Sequence, residues 1–242
     1  MKLNKLLAVG LVALSMSSIS FAKEGGFGIK GGIGLSTISF GNPKEVGNSG
    51  FTFKDNDNKW KVGGLVGLSY EARIGNVFGL DIEADLANKG VQRDLKYTVP
   101  ITNDEGKLSI KGNLFTLDVP VSAKFYLGDN FNFNAGPYFS YILGGKAKAT
   151  NVVNGNTQSK ESDNWYGDKY KDHNGELPMN RFDFGINAGL EFVSNGGFGI
   201  GARVQKGFID LTNDKYIGSN IFPTDKKFVT NTGFQIYGIM RF

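Results

Sequence analysis

The feature that most constrains this chain is the alternating stretch FTLDVPVSAKFY at positions 115–126. One phase of the alternation is apolar: Leu117, Val119, Val121, Ala123 and Phe125. The opposite phase carries Asp118 and Lys124 with Pro120 between them. A period of two predicts a strand with two unlike faces. Because proline cannot donate to a strand ladder, one carbonyl beside Pro120 must find water or a bulge.

The same two-faced pattern recurs eight times, and no helical period competes with it. We predict eight strands, near 27–37, 59–72, 77–89, 115–126, 131–146, 181–192, 198–205 and 234–242. Short turns follow the second, fourth and sixth strands, at 73–76, 127–130 and 194–196. Long polar loops follow the other strands, near 38–58, 90–110, 148–180 and 212–228. All short turns therefore lie at one end of the sheet.

This asymmetry is typical of a transmembrane β-barrel, which has short periplasmic turns, long extracellular loops and an even number of strands. In hydrocarbon every backbone polar group must be paired within the protein, so strands cross a membrane only in a closed barrel. We therefore predict an all-β fold, an eight-stranded antiparallel transmembrane β-barrel. Its apolar phase faces lipid and its charged phase faces the interior. Alternation alone also fits a soluble periplasmic barrel of lipocalin type, in which the apolar face surrounds a ligand.

The N-terminus and the composition fit an exported β protein. Lys2 and Lys5 precede the apolar run 6–14, and Ser20 and Ala22 occupy cleavage-site positions. We predict a Sec signal peptide over 1–22 and an outer-membrane β-barrel domain over 23–242. The 35 glycines and 20 phenylalanines suit a β chain full of tight approaches. The absence of cysteine excludes disulfides, thiol nucleophiles and cysteine metal sites. The formal net charge of +4 includes both N-terminal lysines and does not indicate a nucleic-acid partner.

Charges on the inward phase form the strongest candidate site. An eight-stranded barrel has an interior just wide enough for side chains to fill, so we predict a paired network that plugs the lumen. Its predicted acids are Asp81, Glu83, Asp85, Asp118, Asp183 and Glu191. Its predicted bases are Lys30, Lys61, Lys124, Arg181, Arg203 and Arg241. For Glu83, the nearest bases by depth are Lys124 and Arg203, with Lys30 as a further candidate. The alternative is a narrow or gated solute path lined by the same charges.

Three weaker motifs do not support catalysis or cofactor binding. The segment 26–31 matches G-x-G-x-x-G, but no strand precedes it and no helix follows, so we interpret it as glycines of a curved first strand. Residues 55–58 resemble a calcium loop, but Trp60 and Val66 stand where the required Gly and Glu would be, which favours a solvated loop. His173 is the only histidine, in the third long loop, and no motif marks a serine nucleophile. We predict no enzyme activity, no cofactor and no metal site.

Several segments together resemble the bacterial outer-membrane β-barrel family often labelled porin-like or PorT-like. The segments that carry the resemblance are 28–36, 117–120 running to 124–126, 135–138, 183–185 running to 191–192, and the terminal 241–242. The resemblance implies an outer-membrane location, with outer-membrane lipids and the barrel-assembly machinery as partners. It also implies that Phe242 is the terminal aromatic residue that the machinery reads. The usual signal places a glycine five residues before the end, whereas Gly238 lies four before it.

The leading functional hypothesis is an integral outer-membrane barrel with a structural, adhesive or surface-interaction role carried by its long loops. Loops on a rigid scaffold commonly carry function. Aromatic residues available in these loops are Trp165, Tyr166, Tyr170 and Phe222. The alternative is a small porin-like channel. The predicted partners are accordingly extracellular ligands or small solutes, with no nucleic acid, and the barrel is predicted to be a monomer.

Overall fold

The fold is seen in a computed structural model, which describes residues 25–39, 52–98, 104–154, 156–163, 180–211 and 230–242. These residues form ten strands: β1 (Gly25–Ser39), β2 (Thr52–Lys59), β3 (Lys61–Ile74), β4 (Phe78–Thr98), β5 (Glu105–Leu127), β6 (Phe131–Val153), β7 (Asn156–Asp163), β8 (Phe182–Val193), β9 (Phe198–Gly207) and β10 (Thr230–Arg241). In these ranges no helix is long and apolar enough to cross a membrane. The predicted signal peptide, His173 and the loop aromatic residues lie outside the described residues.

Eight of these strands close into an antiparallel ring. The order is β4-β3-β1-β10-β9-β8-β6-β5, and β5 pairs with β4 to complete the circle. The predicted eight-stranded barrel is thereby confirmed. Tight turns join β3 to β4, β5 to β6 and β8 to β9 at one end. Gly75 and Gly128 have φ of 72° and 74° in the first two turns, a backbone conformation that glycine adopts without strain.

The two phases of each ring strand face opposite environments. On β4, Ile82 is 44% exposed while its neighbours Asp81 and Glu83 are buried. The same division holds on the other ring strands, where the apolar side chains form an exposed band around the barrel. The lipocalin-type alternative is therefore wrong, because it requires the apolar phase to point inward.

The strand ladder is interrupted near Pro120, because proline has no backbone N–H to donate to a neighbouring strand. Pairing between β4 and β5 lapses between Ile82 and Asp85, opposite Pro120. On the other side of β5, the amide Nδ2 of Asn187 donates to the carbonyls of Gly136 at 2.9 Å and Pro137 at 3.2 Å. A polar side chain in the interior thus satisfies backbone groups that the irregular ladder leaves unpaired.

The predicted long loops are partly wrong, because strands continue through them. β4 runs on to Thr98, β5 begins at Glu105 and β6 reaches Val153, while β2 pairs with outer β4 and β7 with outer β6. We call this sheet of β2, 88–98, 105–114, 144–153 and β7 the extension. Residues 55–58, expected in a solvated loop, lie in β2. Polar residues on the outward phase mask these strands, while their inward phase buries Val91, Leu95 and Leu114. Antiparallel strands pair through their backbones, so the sheet continues beyond the apolar band.

Candidate functional site

The barrel interior is filled by polar and charged side chains. The largest buried side chains include Arg203, Tyr138, Tyr237, Lys30 and Lys124. Their contacts form three clusters, which we call lower, middle and upper in order of distance from the short turns. Each cluster joins side chains from different strands across the lumen.

The lower cluster is centred on Lys124 of β5. Its Nζ donates to Glu71 Oε2 at 2.7 Å and Glu191 Oε1 at 2.9 Å, and lies 3.1 Å from Asp81 Oδ2. Arg241 holds the same two glutamates, with Nη1 2.6 Å from Glu71 Oε2 and Nη2 2.7 Å from Glu191 Oε1. Strands β3, β4, β5, β8 and β10 are thereby connected through side chains.

The middle cluster is centred on Glu83 of β4. Arg203 of β9 binds it with both terminal nitrogens, at 2.5 Å and 2.6 Å, which is the bidentate geometry that fits a carboxylate. Lys30 of β1 also donates to Glu83, and to Asp85 Oδ2 at 2.8 Å. The Lys30 Nζ lies 4.6 Å from the centre of the Tyr237 ring. Two acids and two bases therefore meet here with their side chains almost fully removed from solvent.

The upper cluster lies nearer the extension. Lys89 Nζ lies 2.7 Å from Asp118 Oδ2, and Ser140 Oγ donates to Asp118 Oδ1 at 2.5 Å. The Tyr138 hydroxyl donates to Asp183 Oδ2 at 2.8 Å, and its ring lies under Lys89. Cation, aromatic ring and carboxylates thus close the lumen at this level.

Acids outnumber bases by two across the three clusters. The acids are Glu71, Asp81, Glu83, Asp85, Asp118, Asp183 and Glu191, and the bases are Lys30, Lys89, Lys124, Arg203 and Arg241. Within the described ranges, no three acidic or histidine side chains are grouped to hold a metal ion. The arrangement fills the lumen and pairs every base with an acid, which leaves a formal surplus of two acids.

Two predicted members lie elsewhere. Arg181 sits at the start of β8, where its guanidinium lies 5.9 Å from the ring of Tyr141, a residue of the outward phase. Lys61 instead donates to Asn113 Oδ1 and to the Gly112 carbonyl at 3.1 Å, beside the extension. Neither residue joins the three clusters. Each lies at a strand end, where a long side chain can leave the phase of its backbone.

Sequence reasoning missed two charged members, Glu71 and Lys89. Each lies on the inward phase of its own strand, so the alternation that identified their neighbours also contained them. Glu71 follows the outward-facing Tyr70, and Lys89 continues the row that begins at Asp81.

A vestibule of about 110 Å³ opens at the turn end of the barrel. Its lining includes Glu71, Arg73, Tyr126 and Arg241, so the lower cluster forms its floor. The Tyr126 hydroxyl donates to Glu71 Oε1 at 2.5 Å, and Arg73 stacks on the Tyr126 ring at 4.1 Å. The chain ends beside it, where the Phe242 amide donates to a β1 carbonyl at 2.8 Å.

Comparison with known proteins gives one family match and several similar structures. A family model described as an outer membrane protein beta-barrel domain matches residues 17–213. No curated protein matches the chain.

Three solved structures illustrate the structural likenesses. One is Ail, the attachment invasion locus protein of Yersinia pestis, in complex with the heparin analogue sucrose octasulfate. It is 14% identical to this chain, the alignment covers 90% of this chain and 99% of that chain, and the TM-score is 0.39. Neisserial surface protein A is 12% identical, with 89% and 97% coverage and a TM-score of 0.36. OprG from Pseudomonas aeruginosa is 12% identical, with 92% and 96% coverage and a TM-score of 0.27.

Proposed function

The chain belongs to the family of outer membrane protein beta-barrel domains, and on that premise we propose that it has a structural, adhesive or surface-interaction role at the cell surface. It is a protein of the outer membrane. The observation that carries the proposal is the filled lumen, which leaves the extracellular segments as the functional part of the molecule.

The argument against an open pore comes from contacts that cross the lumen. Arg203 on β9 donates hydrogen bonds to Glu83 on β4, and Lys124 on β5 donates one to Glu191 on β8. These strands are not neighbours in the ring, so the ion pairs bridge the interior rather than line one wall. Removing one partner would leave a buried charge uncompensated, which makes the plug energetically hard to open.

The outer part of the molecule is built as a support for surface contacts. Ladders that cross the membrane in β4, β5 and β6 continue into the extension, the one between β5 and β6 through a register shift between Phe115 and Thr116. Segments held by a rigid scaffold are commonly those that bind ligands. The same arrangement gives no reason to propose an enzyme, because the charged groups of the lumen are engaged with one another.

Single-channel recording tests the proposal. The refolded wild-type protein in a planar bilayer is expected to give little current, and Glu83→Ala is expected to give larger, fluctuating currents as the middle cluster loosens. Asn76→Ala, an exposed change in the short turn between β3 and β4 and away from the vestibule, serves as the control and should behave as wild type. A large, steady wild-type current that Glu83→Ala does not alter would contradict the proposal.

The alternative, a narrow solute channel, is supported by the vestibule and by the excess of acids in the lumen. Rings of carboxylates favour cations in narrow pores. If the protein conducts, its reversal potential in a potassium chloride gradient should therefore show cation preference. Anion preference would exclude a path through these clusters.

The Sec signal peptide, the role of Phe242 in assembly and the narrower PorT-like assignment stay predictions. The monomeric state and the extracellular ligands or solutes likewise belong to the proposal rather than to the fold.

A further inference from the structure

One buried tyrosine of the lumen contacts two of the three clusters. Tyr237 of β10 is 1% exposed, and its hydroxyl donates to Glu191 Oε2 of the lower cluster at 3.3 Å. The centre of its ring lies 4.6 Å from Lys30 Nζ and 5.4 Å from the Arg203 guanidinium, both in the middle cluster. A cation within about 6 Å of a tyrosine ring is attracted by the ring face. The same side chain therefore holds an acid of one cluster and both bases of the next.

The hydroxyl of Tyr237 fixes the orientation of the Glu191 carboxylate. Oε1 of Glu191 accepts from Lys124 at 2.9 Å and from Arg241 at 2.7 Å, whereas Oε2 accepts from the tyrosine. Because Glu191 is only 1% exposed, these hydrogen bonds are strengthened by the low local dielectric. A rotation of the carboxylate that moves one oxygen must therefore disturb the contact at the other.

Glycines on the neighbouring strands make room for the tyrosine ring. A Cβ on Gly201 of β9 would lie 2.4 Å from the Tyr237 Cζ, and one on Gly32 of β1 would lie 2.7 Å from the Tyr237 Cβ. Both glycines pair with Tyr237 in the ladders on either side of β10. Backbone pairing also places Glu191 opposite Gly201. The ring that lies over Gly201 therefore directs its hydroxyl to Glu191.

Tyr138 makes the same kinds of contact within a single cluster. Its hydroxyl donates to Asp183 at 2.8 Å and its ring lies under Lys89, and both partners belong to the upper cluster. Tyr237 differs because its hydroxyl and its ring serve different clusters. A change to phenylalanine removes one buried hydroxyl at either position but separates two clusters only at Tyr237. Tyr138 is therefore a matched control.

The lower and middle clusters also act on each other directly. Asp81 of the lower cluster and Glu83 of the middle cluster are two residues apart on the inward row of β4, about 7 Å along the strand. Both are acids, so this interaction is repulsive and does not involve the tyrosine. The contribution of Tyr237 is therefore isolated by comparing the clusters with and without its hydroxyl.

We propose that Tyr237 couples the lower and middle clusters, so that a change at the floor of the vestibule is transmitted to Lys30 and Arg203. The inference rests on the filled lumen of the proposed function and adds that two of its layers loosen together. When Glu191 loses its charge or turns, the hydroxyl loses its acceptor, and the ring is free to leave the two cations that it stabilises. The vestibule opens at the turn end, so the plug is disturbed from that side.

Side-chain NMR of the refolded protein in detergent micelles tests the coupling. The reporter is the Nε–H resonance of Arg203 in the middle cluster, and the perturbation is Glu191→Gln in the lower cluster. Glu191→Gln is expected to shift this resonance in the otherwise wild-type protein but not in a protein that carries Tyr237→Phe. With Tyr138→Phe instead, the shift should remain as large as in wild type. Heat-dependent gel mobility verifies that each variant is folded.

Urea unfolding measures the same coupling as an equilibrium. Combining Glu191→Gln with Lys30→Gln should change the unfolding constant by a factor that differs about fivefold from the product of the two single effects, as for residues in one network. Tyr237→Phe should remove most of this difference, and Tyr138→Phe should not. If the combined variants fail to fold, the resonance of Arg203 decides alone, since it needs no change at Lys30.

A shift of the Arg203 resonance that persists with Tyr237→Phe would overturn the proposal and assign the coupling to the direct interaction of Asp81 with Glu83. Equal effects of Tyr237→Phe and Tyr138→Phe would also overturn it. Failure of the filled lumen is seen separately, as a large and steady wild-type current. A small current together with independent clusters would refute the coupling alone.

Discussion

Replacing Glu83 by alanine is the sharpest perturbation of the filled lumen. The change removes the carboxylate that Arg203 binds with two nitrogens and that Lys30 also contacts. Both cations stay buried, with no exposed side-chain surface. Asp85 remains as a partner for Lys30 at 2.8 Å, but it lies 3.8 Å from Arg203. Arg203 therefore loses most of its compensation.

The magnitude follows from the charge separation. Two unit charges about 4 Å apart attract by roughly 4 kcal/mol at an effective dielectric constant of about 20. Breaking a buried ion pair typically costs about 3–5 kcal/mol. Because Asp85 still faces Lys30, we expect Glu83→Ala to lower the free energy of unfolding by about 3 kcal/mol, near the bottom of that range. Glu83→Gln, which keeps the shape and loses only the charge, should lie between wild type and alanine.

The loss in the free energy of unfolding is measured by urea unfolding of the barrel in lipid vesicles. The folded fraction is read from gel mobility before and after boiling. Asp129→Ala, in an exposed turn, controls for loss of a carboxylate and should stay within about 0.5 kcal/mol of wild type. Adding Arg203→Met to Glu83→Ala should recover stability, since the stranded cation is then removed. A loss for Glu83→Ala no larger than for Asp129→Ala would mean that water already compensates the cluster, and the plug would be refuted.

Three further predictions concern the outer face, the extension and the ladder. Ile82→Arg places a charge on the lipid-facing band and should cost about 2–4 kcal/mol in the same urea assay; an unchanged midpoint would contradict the face assignment. A hydrogen bond from Lys59 lowers the pKa of Asp94 to about 2. Its stabilising effect is therefore present above the unfolded-state pKa near 4 and is lost as the pH falls toward 2. The effect should be at most about 1 kcal/mol because Lys59 is 45% exposed. The protection of β2 amides against hydrogen exchange, corrected for the intrinsic exchange rate at each pH, should therefore fall at low pH in wild type but show no such step in Asp94→Asn. Gly136→Ala would place a Cβ 2.0 Å from a β5 carbonyl and should destabilise the barrel, whereas Gly31→Ala, with its nearest atom at 4.0 Å, should not; equal unfolding midpoints would exclude the predicted clash.

The parts of the fold that depend on local alternation could be predicted from the sequence. A strand buries or exposes every second residue whatever its partner, so the faces of Asp81 and Ile82 follow from the pattern alone. Short turns between alternate strands then fix which ends lie together, and closure follows because open edges do not survive in lipid. Glu71 could have been predicted in the same way, because it lies on the inward phase of its strand.

The extension was not predictable in this way. Its strands still alternate, but with the faces exchanged: Val91, Leu95 and Leu114 are buried on the inward phase, and the outward phase is polar. A pattern that looks for apolar residues on the lipid-facing phase therefore stops at the edge of the apolar band. The pairing of Lys59 with Gln92 and of Lys146 with Asp163 depends on neighbours brought together by the ring. Local composition there indicates a loop, whereas the tertiary structure continues the sheet.

The sequence alone determined that charges would share the lumen, but only the tertiary structure decided which charges pair. From their positions along the strands, Lys124 and Arg203 were predicted as the nearest partners of Glu83, with Lys30 as a further candidate. The structure joins Glu83 to Arg203, 120 residues away, and to Lys30, while Lys124 serves the cluster below. The physical reason is that pairing across a barrel depends on the register and tilt of strands that are not adjacent. A shift of two residues in one strand keeps every side chain on the same face but changes its partners across the lumen. The ion pairs are therefore determined by the register of the closed ring and cannot be read from any local segment.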